Sequence, residues 1–191
     1  LWTVNKTFHS WTPLNGYGLQ ASIFDADSVI NIEFPPPTNP DAPWLVGNPD
    51  AAQLSSGGIF IVWNDIGSTG SDIFGQIVSP AHGHSTIKSP FRINSPTDGA
   101  QFHPVVVEQP THGNVWIFYH SGNDGDKILA ERFDKWGERY PSDHFTSESY
   151  VSPFSAVESS NLGQQFDVKS LSDSSFIITY SKIDQATGIE D

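Results

Sequence analysis

Cysteine and methionine are both absent from the 191 residues, and cations are scarce, with 9 Lys plus Arg against 22 Asp plus Glu. Without Cys there is no disulfide framework, no zinc–thiolate site, no thiol nucleophile and no iron–sulfur cluster. Without Met the chain lacks an initiator, so it reads as a segment processed or excised from something longer. A net charge of −13 and a pI of about 4.6 leave few groups to neutralise phosphates, which excludes nucleic acid as an expected partner. Long apolar runs are missing too. Ile59 to Trp63 is far short of the roughly 18 residues a span needs, and no charged-then-apolar leader opens the chain, so membrane insertion is not expected.

What is present favours turns and strands. Fifteen of the 22 acids are Asp, and there are 16 Gly and 14 Pro, residues that serve loops much better than helices. A length near one domain's worth can bury one core. The expectation is an all-β protein, extracellular or at the cell surface.

Within that composition one pattern recurs. A short apolar strand appears as Phe60-Ile61-Val62-Trp63, Trp116-Ile117-Phe118-Tyr119 and Ile177-Ile178-Thr179-Tyr180, at steps of 56 and 61 residues. Each follows a turn: Ser56-Gly57-Gly58, His112-Gly113-Asn114 and Ser172-Asp173-Ser174. A second series, Leu19 to Asp25, Ile73 to Val78 and Ile128 to Asp134, keeps steps of 54 and 55. A third element is Phe91 to Asn94, with counterparts near Ile32 to Phe34 and His144 to Thr146. A fourth is Gln101 to Val107, echoed by Gln165 to Val168. Four short strands in each repeat of about 55 residues is the pattern of a β-propeller blade, which buries its faces only against neighbouring blades. The alternative is a β-sandwich, which also shows short strands with regular turns but does not require one strand set to return three times.

The whole chain, 1–191, is then one all-β repeat segment. It divides into a terminal strand at 1–8, repeats at 14–64, 65–120 and 121–181, and the start of a fourth at 182–191. Such ends suit strand addition, so the expected partners are further copies of the chain, in an oligomer or filament, or the rest of a longer parent.

The pattern resembles a repeat of large secreted bacterial adhesins of the RTX and cadherin-associated kind, which runs Gly-Gly-Phe-Val-Val-Val-Trp, then an Asp/Gly-rich loop, then Tyr-Ala-Gln-Arg-Phe-Asp. The matching residues are Gly57 to Trp63, Ala130 to Asp134 with Gly137, Phe91 to Asn94, and Gln101 with Pro104. The third copy departs, with Thr179-Tyr180 for Val-Trp, and the first carries Pro35-Pro36-Pro37. The resemblance implies an extracellular repeat protein and brings no catalytic residues.

Candidate sites are few. Loops after the apolar strands hold Asp65, Asp72, Asp124 and Asp126, oxygen donors of the kind Ca²⁺ takes, though Asp-Gly pairs are also ordinary turn chemistry. Trp44 and Trp136 stand in loops and could stack on sugars, whereas Trp63 and Tyr119 belong to the strand repeat and to packing. His82-Gly83-His84 reads as a solvated turn. Asn5-Lys6-Thr7 is the only sequon, making Asn5 the candidate N-glycan acceptor. No Gly-x-Ser-x-Gly elbow occurs, and Ser121 to Gly125 misses the sialidase Asp-box spacing, so no enzyme activity is expected. The resulting expectation is a structural or adhesive repeat protein of a surface assembly. Alternatives are a lectin-like propeller that binds glycans, and part of a glycoside hydrolase.

Overall fold

The computed structural model describes residues 7–11, 18–24, 29–33, 46–67, 70–79, 85–95, 99–122, 127–140, 154–158 and 162–183. Thirteen strands lie among them, in four antiparallel sheets. The first sheet holds β1 (Thr7–Trp11), β2 (Gly18–Phe24) and β3 (Val29–Glu33). The second holds β4 (Val46–Gln53), β5 (Ile59–Gly67), β6 (Gly70–Ser79) and β7 (Ser85–Arg92). The third holds β8 (Gln101–Glu108), β9 (Val115–Ser121), β10 (Lys127–Phe133) and β11 (Phe154–Glu158). The fourth holds β12 (Leu162–Ser170) and β13 (Phe176–Lys182). Every sheet is a meander in which each strand pairs with its neighbour in the sequence. The all-β expectation is met. Among the described residues no helix is long and apolar enough to cross a membrane.

Three of the four recurring segments become named strands: β5, β9 and β13; β2, β6 and β10; and β8 with β12. The weaker third element coincides with the end of β7 and with β3, while His144 to Thr146 lies outside the described residues. The two four-stranded sheets run from Val46 to Arg92 and from Gln101 to Glu158. The apolar strand that recurs most clearly is therefore the second strand of a sheet, and the first strand is the less apolar β4, β8 or β12.

Period-two alternation explains the packing. Phe60 and Val62 of β5 and Ile73 and Ile77 of β6 turn one way. They meet Val115, Ile117 and Tyr119 of β9 with Leu129 and Phe133 of β10 in one buried cluster between the sheets. Phe91 completes an aromatic corner there, edge-on to Phe60 and Phe133. The alternate residues of the third sheet, Phe118, Ile128 and Ala130, form a second cluster with Leu162 and Val168 of β12, and Phe176 packs edge-on against Trp116 and Phe118. The third sheet is thus covered on both faces, which is why β9 reads as an unbroken apolar run. The outer face of β13 is open: Ile177 is 50 % exposed.

Tight turns close one end of the sheets. Leu54 to Gly58 joins β4 to β5 through Leu54 N–H to Gly58 O and Gly57 N–H to Leu54 O, both 2.8 Å. Gln109 to Asn114 and Leu171 to Ser175 repeat the scheme before β9 and β13. The turning residue has φ of +89° at Gly57, +63° at Gly113 and +71° at Ser174, a left-handed conformation that costs a side chain energy and glycine almost none. Neighbouring sheets are also tied here, with Glu108 accepting from Ser55 N–H and Oγ at 2.8 Å each, and Gln109 Nε2 donating to Ser174 O at 2.9 Å.

Candidate functional site

The opposite end is built differently. There β4 and β8 begin beside the ends of β5 and β9, with Val46 paired to Asp65 and Gln101 paired to Ser121. Each first strand breaks register just inside this end, between Gly47 and Asp50 in β4, Phe102 and Val105 in β8, and Leu162 and Phe166 in β12. In two of the breaks a residue preceding proline holds a left-handed backbone: Asn48 at φ +48° before Pro49, and His103 at φ +51° before Pro104. A residue before proline is normally pushed to extended conformations, so these are sustained strain at matching positions.

A polar residue from the second strand supports each break. It is the residue after the recurring aromatic: Asn64 after Trp63, His120 after Tyr119, Ser181 after Tyr180. Asn48 Nδ2 donates to Asn64 Oδ1 at 3.1 Å, and the His120 ring stacks on Phe102 with centroids 4.4 Å apart. Ser181 Oγ donates to Gln165 O at 3.1 Å.

Next to these breaks, Asp65 and Asp72 stand directly opposite each other across β5 and β6. Direct partners in an antiparallel pair share a face, with Cβ atoms about 5 Å apart. Burial, and then the charge of Asp72, push the Asp65 carboxyl above its ordinary range. Asn94, buried just past β7, donates from Nδ2 to Asp72 Oδ1 at 2.8 Å and to Gln101 Oε1 at 3.2 Å, while its Oδ1 accepts Ile73 N–H at 2.7 Å. Ser71 Oγ donates to Gln101 O at 2.5 Å, bonding the start of β6 to that of β8. Asp50 accepts Val106 N–H at 2.9 Å, so β4 and β8 are tied along their length.

Behind Asn94 lies a charged group inside the apolar core. Glu131 of β10 has no exposed surface, accepts from Tyr119 OH at 2.9 Å and from Ser95 N–H at 2.6 Å, and is ion-paired to Arg139. Arg139 also donates to Ile93 O at 2.5 Å and to Ser95 Oγ. Burial lowers the pKa of Arg139, with the Tyr119 hydroxyl opposing that shift and Arg92 adding to it. The Tyr119 hydroxyl is driven well above its usual range by burial.

Of the sequence candidates, the structure unites Asp65 with Asp72 and sets Trp136 apart from them. Strand β10 runs from Lys127, opposite Ser121, to Phe133, opposite Val115, so the turn bearing Trp136 lies at the tight-turn end, about 20 Å away at 3.3 Å per residue. Trp136 is 54 % exposed there. Asp124, Asp126, Trp44 and Asn5 lie outside the described residues, as do His82 and His84. Among the described residues no three His, Asp or Glu gather as a metal site. Sequence reasoning missed Asn94 as a site residue, and with it Glu131 and Arg139. The signals were present: an acid inside the apolar strand Ile128 to Phe133, and a polar residue behind each repeated aromatic.

No family model and no curated protein matches the chain. Solved structures do. Among those to which the chain is similar are two glycoside hydrolases. One is the endo-arabinase from Bacteroides thetaiotaomicron VPI-5482, at 12 % identity and a TM-score of 0.46, over 91 % of this chain and 69 % of that one. The other is a thermostable family-43 glycoside hydrolase, at 13 % identity and a TM-score of 0.45, over 93 % of this chain and 64 % of that one. The chain thus spans about two thirds of the length of each. Both are glycoside hydrolases, so the expectation of no enzyme activity is withdrawn. The absence of a motif could not carry that expectation, because a glycosidase needs two facing carboxylates rather than a fixed motif, and the folded chain brings such a pair together. At these identities neither protein brings residue roles to this chain.

Proposed function

We propose that the chain forms most of a β-propeller and acts on a carbohydrate at the end where Asp65 faces Asp72, hydrolysing a glycosidic bond. The propeller reading rests on three successive sheets packed face to face, with β8 lying against both β4 and β12, as the first strands of neighbouring blades do around an axis. A two-layer sandwich has no sheet covered on both faces by further sheets.

The observation that carries the activity is the pairing of Asp65 with Asp72, one of them holding its proton to higher pH because of burial and its neighbour's charge. Glycosidic hydrolysis uses two such carboxyls in different states. Asp65 in its acid form gives a proton to the leaving oxygen as the sugar C–O bond breaks. Asp72, its Oδ1 held by Asn94, is the ionised partner across this short gap: it bonds to the sugar carbon as the C–O bond breaks, and water then cleaves the glycosyl ester, giving its proton to the now ionised Asp65 and releasing Asp72 as the carboxylate. An extracellular setting, where polysaccharides are met, is part of the proposal.

The test is turnover and binding on a panel of polysaccharides that includes arabinan, with Asp65→Asn and Asp72→Asn. The expected result is hydrolysis that falls about 100-fold or more in each variant. Binding without turnover, unchanged in both variants, would replace this reading by a lectin-like one. Neither binding nor turnover by the wild-type chain on any member of the panel would overturn it.

A further inference from the structure

The chemistry proposed above uses Asp65 and Asp72, yet the most heavily buried charge in the described residues is elsewhere. Glu131 lies wholly within the core between the second and third sheets, where an ionised carboxylate is stabilised only by charge-assisted partners. A leucine there would pack the core at less cost, so what the acid holds decides its role. Tyr119 OH is one partner. The others converge on two residues of the connection from β7 to β8: Glu131 accepts Ser95 N–H, and its ion-pair partner Arg139 donates to Ile93 O and Ser95 Oγ.

The residue between those two anchors is Asn94. Its backbone is gripped on both sides, by Glu131 of the third sheet and by Arg139 beyond the end of β10, while its side chain reaches into the second sheet, where it accepts Ile73 N–H and donates to Asp72. Because Oδ1 faces an N–H donor, the orientation of the amide is fixed, and Nδ2 has to point at the carboxylate. A connection between strands ordinarily moves more than the strands it joins. Here Glu131 and Arg139 remove that freedom at one residue.

We propose that Glu131 and Arg139 are a positioning pair for Asp72, acting through Asn94: they clamp residues 93–95 so that the Asn94 amide holds the Asp72 carboxylate opposite Asp65. Their part in turnover rests on the hydrolytic reading, whereas the clamp itself does not. The charged and titratable groups that face the pair are Tyr119 and Arg92, and neither bonds to Asp72 among the described residues. The pair touches no substrate in this scheme, and its effect is on the geometry of the carboxylates.

The experiment reads the Asn94 side-chain amide by NMR in the full chain, in wild type, Glu131→Gln and Arg139→Lys. Gln is close in shape but carries no charge, and Lys keeps the charge but cannot reach Ile93 O and Ser95 Oγ together. The expected result is that the Asn94 amide protons shift and exchange about tenfold faster in both variants, the size of losing one hydrogen bond to a charged group. The side-chain amide of Asn114, which donates to Gln109 at the tight-turn end, stays unchanged as an internal control. If Glu131→Gln does not fold, Arg139→Lys decides, because Arg139 is partly exposed and the substitution leaves the Glu131 charge paired. Folded variants whose Asn94 signals match wild type would overturn the proposal and reduce the pair to a core ion pair. Where the wild type hydrolyses a substrate, both variants lower kcat with KM little changed. A wild type without turnover would sink the hydrolytic reading and leave the Asn94 measurement intact.

Discussion

The two ends of the sheets obey opposite rules. At the tight-turn end the left-handed positions are filled by Gly57, Gly113 and Gly137, with Ser174 the exception, and the hydrogen bonds close each turn on itself or tie it to the next sheet. At the other end glycine serves at Gly70 and Gly99, but left-handed backbone also falls on Asn48 and His103, both before proline, and two carboxylates face each other. The first end is assembled from low-energy choices. The second sustains strain and like-charge repulsion, which persist only where the surrounding structure over-determines them, and that is the pattern of a working site.

The largest expected effect comes from damaging the low-energy end. A Cβ at Gly137 would meet Lys88 Cδ at 2.9 Å, Phe91 Cζ at 3.0 Å and Ile77 Cδ1 at 3.1 Å, at φ +78°. Gly137→Ala should therefore cost about 2–3 kcal/mol in denaturant melts, combining left-handed strain with overpacking. A loss below about 0.5 kcal/mol would break the contrast between the ends. In the reverse direction, Ser174→Gly should gain about 0.5 kcal/mol, the strain relieved less the Oγ contact with Thr111.

At the strained end the sign depends on pH. The Asp65 pKa is raised on folding, so the native state takes up a proton more readily than the unfolded chain, and stability falls as pH rises above the unfolded value of 3.8. The penalty is complete above the folded value and gone below 3.8. Asp65→Asn should stabilise the chain at pH 7 by about 0.3 kcal/mol after solvent screening, read as a higher Tm, and leave stability unchanged at pH 3. A variant less stable than wild type at pH 7 would show that the pair is a structural asset. The smallest effect belongs to Trp136→Ala, within about 0.5 kcal/mol and without change in glycan binding, because that ring projects from the far end.

Much of the architecture was legible because it rests on local alternation. Phe60 and Val62 against Ile61 and Trp63, or Val115 to Tyr119, announce strands wherever they sit, and Ser56-Gly57-Gly58 announces the turn before them. The candidate site was less legible because it is assembled across the sheets. Asp65 and Asp72 were visible as acids near one loop, but their use as a facing pair follows from the β5–β6 register. Asn94 reads as an ordinary polar residue after a strand until Ser95 is seen bonded to Glu131, 36 residues later. Asn64, His120 and Ser181 hide for another reason: they fall beside large aromatics that dominate the repeat.

The meander arrangement has a consequence for how the chain acquires its shape. Apart from β10 and β11, which twenty residues separate, each strand finds its partner one short connection away, so the closure entropy of these pairings is small, and each sheet can form soon after its last strand leaves the ribosome. What comes late is the joining of sheets, since the partners of Phe60 in the core include Phe133, more than seventy residues downstream. A nascent chain stopped after β7 would display Phe60, Val62 and Ile77 to solvent until the next sheet arrives. That interval is when it is most exposed to aggregation, and growth from one end shortens it to the synthesis of one further sheet.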